Sequence, residues 1–319
     1  EYASLTGKEA GWGQTSHHGV VLAVEEINAA GGVLGRKLEL ICEDNQSKSG
    51  ESATAARKLI SRDKVIALIG EIASGRTLEV APIAQKDRIP MIAPAATNPK
   101  VTQAGDYVFR VCFIDDFQGA VMAKFAKDEL KAKRVAILSS VSNAYSVSLT
   151  KIFRATFIPA GGTVVTEKNY AEGDKDFRAQ LTALKADNVD AVFVPGYYTE
   201  SALIIRQARD LGLMMPFFGG DGWEGEQLLE IGGMALNGCF YLTHFSAGNT
   251  APAVVDFIAR YKARWGGEVP GAYSALGYDT ILVLADAIKR AGTTDAPKLR
   301  DALAATKDFP GVTGRTTID

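Results

Sequence analysis

The chain has 319 residues, 47% of them hydrophobic and 23% charged, with 35 Lys and Arg against 37 Asp and Glu. A net charge of −2 excludes a nucleic-acid binder, which needs a basic surplus to hold phosphates. The apolar content excludes disorder, no run reaches the ~18 consecutive apolar residues of a membrane span, and at about 100–200 residues per domain the length predicts two domains.

In chain order, Val20, Val21, Val24 and Ile27 recur at helical spacing within Thr15–Ala30, and Gly31-Gly32 stops that helix. Lys37–Cys42 reads as a strand. Glu51–Ser61 reads as a helix with Ala53, Ala56, Leu59 and Ile60 on one face. Val65–Ile69 is a five-residue apolar run closed by Gly70, the pattern of a parallel strand covered on both faces. A helix over Thr77–Lys86 and a strand over Pro90–Ala93 follow.

The same alternation restarts after Cys112–Asp116. It predicts helices at Phe117–Leu130, Tyr145–Pro159, Asp176–Ala186 and Glu200–Leu211, and strands at Arg134–Leu138, Thr163–Thr166, Asp190–Val194 and Phe217-Phe218. After a second break at Leu242–Ala247, three helices (Ala253–Trp265, Ala272–Ala291, Ala296–Ala305) come with few strands, so they are expected to cover the first sheet. The expectation is an α/β chain with two domains, each a doubly wound, mainly parallel sheet with helices on both faces. The first lobe is residues 1–114 plus 246–319 and the second 115–245, with hinge crossovers between them. Open sheets of this kind bind ligands beyond the carboxyl ends of their strands, and two facing sheets make an interdomain cleft.

The candidates therefore follow the strands. After Val65–Ile69, Ser74-Gly75 opens a helix. The pair reads equally as an anion site, with free N–H groups at the positive end of the helix, or as an ordinary Ser cap. After Pro90–Ala93, Thr97 offers a hydroxyl among small residues, or the segment is simply a rigid turn. Tyr145 and Tyr197-Tyr198 follow strands of the second domain. Asp221 stands among Gly219, Gly220 and Gly222, placed either to receive a cation or to form an Asx turn.

Catalytic and metal signals are sparse. His17, His18 and His244 show no triad or ligand spacing, and Cys42, Cys112 and Cys239 form neither a disulfide framework nor a zinc motif. Cys42 reads as a buried strand thiol. No GxSxG, P-loop or GxGxxG occurs after a strand, so no enzyme, metal or cofactor is expected. No basic n-region with an apolar run opens the chain, and a cleaved signal peptide leaves no trace.

Several segments together resemble the type I periplasmic binding proteins, in particular the leucine/isoleucine/valine-binding branch that serves ABC importers. They are Leu5-Thr6-Gly7 with Gly13, Ala23–Gly32 with Gly35-Arg36-Lys37, Glu43–Gln46, Ile69-Gly70, Pro94–Pro99, Phe109-Arg110-Val111, Gly173–Phe177 and Arg206–Gly212. They run through nearly the whole chain in family order. The resemblance implies a Venus-flytrap fold and a small neutral amino acid, held between the lobes as they close and delivered to an ABC permease. It further implies a monomer peripheral to the membrane, located in the periplasm.

Carried over position by position, the ligand's carboxylate would meet the backbone and hydroxyl of Ser74 and Thr97. Its ammonium would meet Asp221 and the Ala95 carbonyl. Trp12, Ile72, Ala73, Tyr145, Tyr197 and Tyr273 would wall the side-chain pocket, with Trp223 beside Asp221. Where this chain has Asp221 the family often has Glu, and the missing methylene would shift the ammonium or admit a water. Arg76 or Glu71 would instead meet a polar ligand side chain. The positions of an early family disulfide hold Gln46 and Ala73, so that bridge cannot form.

The family also has a strand before Leu5-Thr6-Gly7, where only Glu1–Ser4 stand here, and further strands after Thr316. A missing central strand would leave ladder groups unpaired on two neighbours. Two other readings are a sensory domain of the same fold and an amide hydrolase using Ser74. The first calls for a fused helix-turn-helix or membrane segment, and the second for product formation lost in Ser74→Ala.

Overall fold

A computed structural model describes residues 1–318. Its chain folds into two units, Glu1–Cys112 with the segment from His244 onward, and Phe113–Thr243.

The first unit begins with β1 (Tyr2–Ala3), α1 (Ala10–Ala29), β2 (Glu43–Asp44), α2 (Glu51–Ser61), β3 (Leu68–Ile69), α3 (Ser74–Asp87), β4 (Met91–Ala93) and β5 (Val108–Arg110). The second unit carries α4 (Asp115–Asp128), β6 (Arg134–Ser140), α5 (Ala144–Phe157), β7 (Thr163–Tyr170) and α6 (Arg178–Leu184). It continues with β8 (Ala191–Phe193), α7 (Tyr198–Asp210), β9 (Phe217–Gly219), α8 (Glu226–Gly232) and β10 (Phe240–Tyr241). The chain then completes the first unit with α9 (Pro252–Arg264), α10 (Ala272–Ala291), α11 (Ala296–Ala304), β11 (Phe309–Gly311) and β12 (Gly314–Thr316).

The second unit is built on a five-stranded, wholly parallel sheet in the order β10-β9-β8-β6-β7. The interior strand β6 buries Val135, Ala136, Ile137 and Leu138 completely, as a strand covered on both faces must. The edge strand β7 runs on to Tyr170, four residues past the expected end at Thr166, because β6 continues to pair with it through Glu167, Lys168 and Asn169. Polar side chains hide an edge strand from pattern reading, but its backbone still finds the ladder. The short elements α8 and β10, and β5 in the first unit, are also absent from the sequence reading.

In the first unit the expected sheet is divided. β3, β4 and β5 form one parallel sheet and β1 with β2 another. Two sequence expectations change here. Glu1–Ser4 do supply a strand: Tyr2 and Ala3 pair with Glu43 and Asp44, and the buried Tyr2 hydroxyl donates to the Gly70 carbonyl at 2.8 Å. Conversely, Lys37–Cys42 and Val65–Ala67, both expected as strand, lie outside any ladder. They flank a groove of about 550 Å³ whose apolar lining includes Leu38, Leu40, Ala67, Ile281 and Ile288. Ile66 is 39% exposed and the other apolar residues of both segments are only half-buried, so neither the alternation nor the apolar run marks a strand covered on both faces, and Cys42 is no buried strand thiol.

The helices pack tightly around this unit. At Gly19 of α1 a Cβ would lie 1.9 Å from the Ser274 carbonyl oxygen, and at Gly277 of α10 one would lie 2.5 Å from that of Ser16. Glycine is required for so close an approach. Gly292, in the left-handed region at φ 65°, ends α10. The β11–β12 hairpin is tied back to α10 by Asp279, which accepts from the Val312 and Thr313 amides at 2.8 and 2.9 Å and from the Thr313 hydroxyl at 2.6 Å.

Candidate functional site

In the first unit the loop after β3 leads through Ile72 and Ala73 into α3. Ser74 is the first residue of that helix; the cap position belongs to Ala73, and no side chain caps the helix. The cap reading of Ser74 therefore fails on geometry: its hydroxyl accepts instead from the Asn98 amide at 3.2 Å. That bond joins the start of α3 to the loop after β4, where Ala95 and Thr97 lie buried. An uncapped helix start keeps N–H groups and the positive end of the helix dipole directed at whatever sits before it.

The loop holding Ala95 and Thr97 is clamped by a residue to which the sequence reading assigned no role. Arg110, at the end of β5, donates to the carbonyls of Ala96 at 2.6 Å and Asn98 at 3.0 Å, and to the Thr102 hydroxyl at 2.8 Å. Arginine's fork matches several acceptors in one plane, which suits it to holding a loop.

A second pair, Trp12 at the start of α1 and Tyr273 at the start of α10, meets edge to face at 5.6 Å. The first turns of α1 and α3 are locked by a buried ion pair, Glu9 with Arg76 at 2.6 Å, and Arg76 also donates to the Ser47 carbonyl at 3.0 Å. Arg76 is thus committed within the fold rather than held out to a polar ligand. Glu71 is committed too, accepting from the Ser4 hydroxyl and from the Asn45 amide at 3.0 Å.

Burial pushes the Glu71 carboxyl above its ordinary 4.5, against the opposing pull of Arg76 and of the bonds from Ser4 and Asn45, while Glu9 adds to the rise. The folded state therefore holds a proton that the unfolded chain has already released. Its stabilising contribution is complete below about pH 4.5 and is lost as pH rises through the native value. Glu71→Gln, which keeps the shape without the charge, is expected to flatten the decline of stability above pH 4.5. Urea unfolding at a series of pH values measures this, and parallel curves for the two proteins would refute it.

In the second unit Asp221 begins a single 3₁₀ turn directly after β9 and is buried. Its amide donates to the Gln118 side-chain carbonyl at 3.3 Å, and Gln118 in turn donates to Asp115 at the start of α4 at 2.9 Å. The Tyr145 hydroxyl accepts from the Gly222 amide at 3.2 Å and donates to the Asp221 carboxylate. Burial and then the Asp221 charge push the Tyr145 hydroxyl well above 10, so it remains a neutral donor.

The flanking glycines are there for close approach. A Cβ at Gly220 would lie 2.4 Å from the Tyr145 oxygen, and one at Gly222 would lie 2.7 Å from the Gly196 carbonyl. Tyr145 is fixed by the Asn143 cap of α5 and stacks on Tyr197 at 5.4 Å. Trp223 turns its indole N–H to the Val194 carbonyl at 2.9 Å, bracing the turn from behind.

Within the units, the structure thus brings Ser74 next to the Thr97 loop, Trp12 onto Tyr273, Asp221 onto Tyr145, and Tyr145 onto Tyr197. The supports Arg110, Gln118 and Asp115 were missed. The sequence reading sets Asp115 in the break before a helix at Phe117, whereas α4 begins at Asp115 itself, and a lone Gln offers no signal.

Residues 2–319 match the family model described as "Periplasmic binding protein". A Leu/Ile/Val-binding protein of Rhizobium johnstonii is 34% identical over 318 residues, covering 99% of this chain and 85% of that protein. Among solved structures, a leucine-binding protein LivK of Thermotoga maritima superposes with a TM-score of 0.94 at 42% identity, covering 100% of this chain and 90% of that one. The LivJ substrate-binding protein of a Streptococcus pneumoniae branched-chain amino-acid transporter, in complex with isoleucine, gives the same TM-score at 35% identity, with 100% and 90% covered.

Proposed function

The chain belongs to the periplasmic binding protein family, and from that premise we propose that it captures a small neutral amino acid, of the leucine, isoleucine and valine class, and delivers it to an ABC importer. The family is one of solute-binding proteins, not of enzymes. No helix of the described residues is long and apolar enough to cross a membrane. A periplasmic location, action as a monomer and a permease partner are parts of this proposal.

One observation carries the reading: the buried Asp221 on its glycine turn, with a neutral Tyr145 hydroxyl as its donor. A buried carboxylate calls for a cation, and an amino acid brings an ammonium. The Ala95 carbonyl is the second acceptor for that group. The ligand's carboxylate is taken by the uncapped start of α3, with the hydroxyls of Ser74 and Thr97. Trp12, Ile72, Ala73, Tyr145, Tyr197 and Tyr273 line the side chain, and Trp223 supports the turn of Asp221. Arg76 and Glu71 are already engaged, which favours a ligand whose side chain is uncharged. The isoleucine bound by the pneumococcal relative has this chemistry.

Calorimetric titration tests the proposal. Leucine, isoleucine or valine is expected to bind at one site per chain. The corresponding 2-oxo acid, lacking the ammonium, and the corresponding amine, lacking the carboxylate, are each expected to bind roughly 100-fold more weakly, the loss of one charge-assisted contact. Equal binding of the amino acid and its oxo acid would refute the ammonium site, and turnover of an amide panel would favour the hydrolase reading.

A further inference from the structure

We propose that Glu1, His17 and Cys42, in the first unit, form a binding site for a borderline-soft transition-metal dication, with zinc the fitting ion. Their donor atoms, a carboxylate oxygen, an imidazole nitrogen and a thiol sulfur, all lie within 4.8 Å of one another.

The convergence is built by the fold. The parallel ladder pairs Tyr2 with Glu43, and the Glu43 amide donates to the Glu1 carbonyl at 2.9 Å, so Glu1 and Cys42 stand side by side one step earlier. His17 reaches the pair from α1, with its Nδ1 2.6 Å from the Glu1 carboxylate. Sequence spacing concealed the cluster, since its members lie on three separate segments.

The donor set selects the ion. Calcium and magnesium take oxygen ligands, whereas nitrogen, sulfur and one carboxylate suit zinc or cobalt. Ligand distances of about 2.0–2.3 Å in a tetrahedral site put the donors about 3.3–3.7 Å apart. The His17–Glu1 contact must therefore open by roughly 1 Å while the sulfur closes in, both within the reach of side-chain rotation.

Charge balances as well. Glu1 and a Cys42 thiolate neutralise a dication, and a neutral His17 adds none. Without metal, burial and the nearby Glu1 carboxylate push the Cys42 thiol up, so its proton is present and leaves to solvent when the sulfur–metal bond forms. His17 is also raised, chiefly by its bond to Glu1, and gives up any proton it holds. Its side chain is about a quarter exposed, which leaves an entry path and room for a water as fourth ligand.

The test is titration of the whole protein with cobalt(II), then zinc(II). One cobalt per chain is expected, with a thiolate-to-cobalt charge-transfer band, proton release, and displacement of the cobalt by one zinc. Cys42→Ser and His17→Ala are each expected to weaken zinc binding at least ~10-fold, and Cys239→Ser to leave it unchanged. No thiolate band in the wild-type protein, or zinc affinity unchanged in both ligand variants, would overturn the site. Should the variants fail to fold, the band and the proton count of the wild-type protein still decide.

Discussion

Asp221→Asn is expected to weaken leucine, isoleucine or valine binding by roughly 100-fold or more, about 3 kcal/mol, with little change in the unfolding of the ligand-free protein. The substitution is nearly isosteric. The Tyr145 hydroxyl still finds a carbonyl oxygen, and the backbone bond to Gln118 is untouched. What disappears is the negative charge, and the bond between an ammonium and a buried carboxylate is worth about twice a neutral one. Asp221→Glu keeps the charge, so it is expected to retain most of the affinity. Calorimetry on the three proteins measures both, and an Asn variant within threefold of wild type would remove Asp221 from the binding reaction.

Arg76→Met is expected to destabilise the protein by about 3 kcal/mol, because the buried Glu9 loses its guanidinium partner and keeps only the half-exposed Lys8 ammonium at 3.6 Å. Breaking a buried pair from one side leaves an uncompensated charge, whereas removing both ends does not. Adding Glu9→Gln to Arg76→Met is therefore expected to recover much of the loss. The pair also joins the first turns of α1 and α3, so the single variant is expected to bind its amino acid more weakly as Ser74 shifts. Chemical unfolding of the two single variants and the double variant gives the coupling. A double variant no better than Arg76→Met would show that the arginine acts through the Ser47 carbonyl instead.

The long helices were legible because their apolar residues recur with the helical period. The pattern at Ala272–Ala291 runs unbroken to its Gly292 stop, and that helix has those ends. Strands were legible in the second unit where they are covered on both faces, as at β6. They were misread in the first unit at Lys37–Cys42 and Val65–Ala67, whose apolar residues are half-buried or exposed and which lie outside any ladder. Periodicity measures which side chains avoid water, whereas a strand exists only if another strand's amides lie about 4.8 Å away.

Of the candidate site, the order of elements and the residues standing after each strand came from sequence alone, because a ligand site at strand ends is a property of the α/β alternation. So did the choice of Asp221, whose glycine neighbours are written in the chain. Three things awaited the tertiary structure: that Ser74 is no cap, that Arg76 and Glu71 are taken by Glu9, Ser4 and Asn45, and that Arg110 and Gln118 hold the site loops. The same holds for the meeting of Glu1, His17 and Cys42. Each is a contact between residues far apart in the chain, and pairing at such distances is set by how sheets and helices stack, on which local pattern is silent.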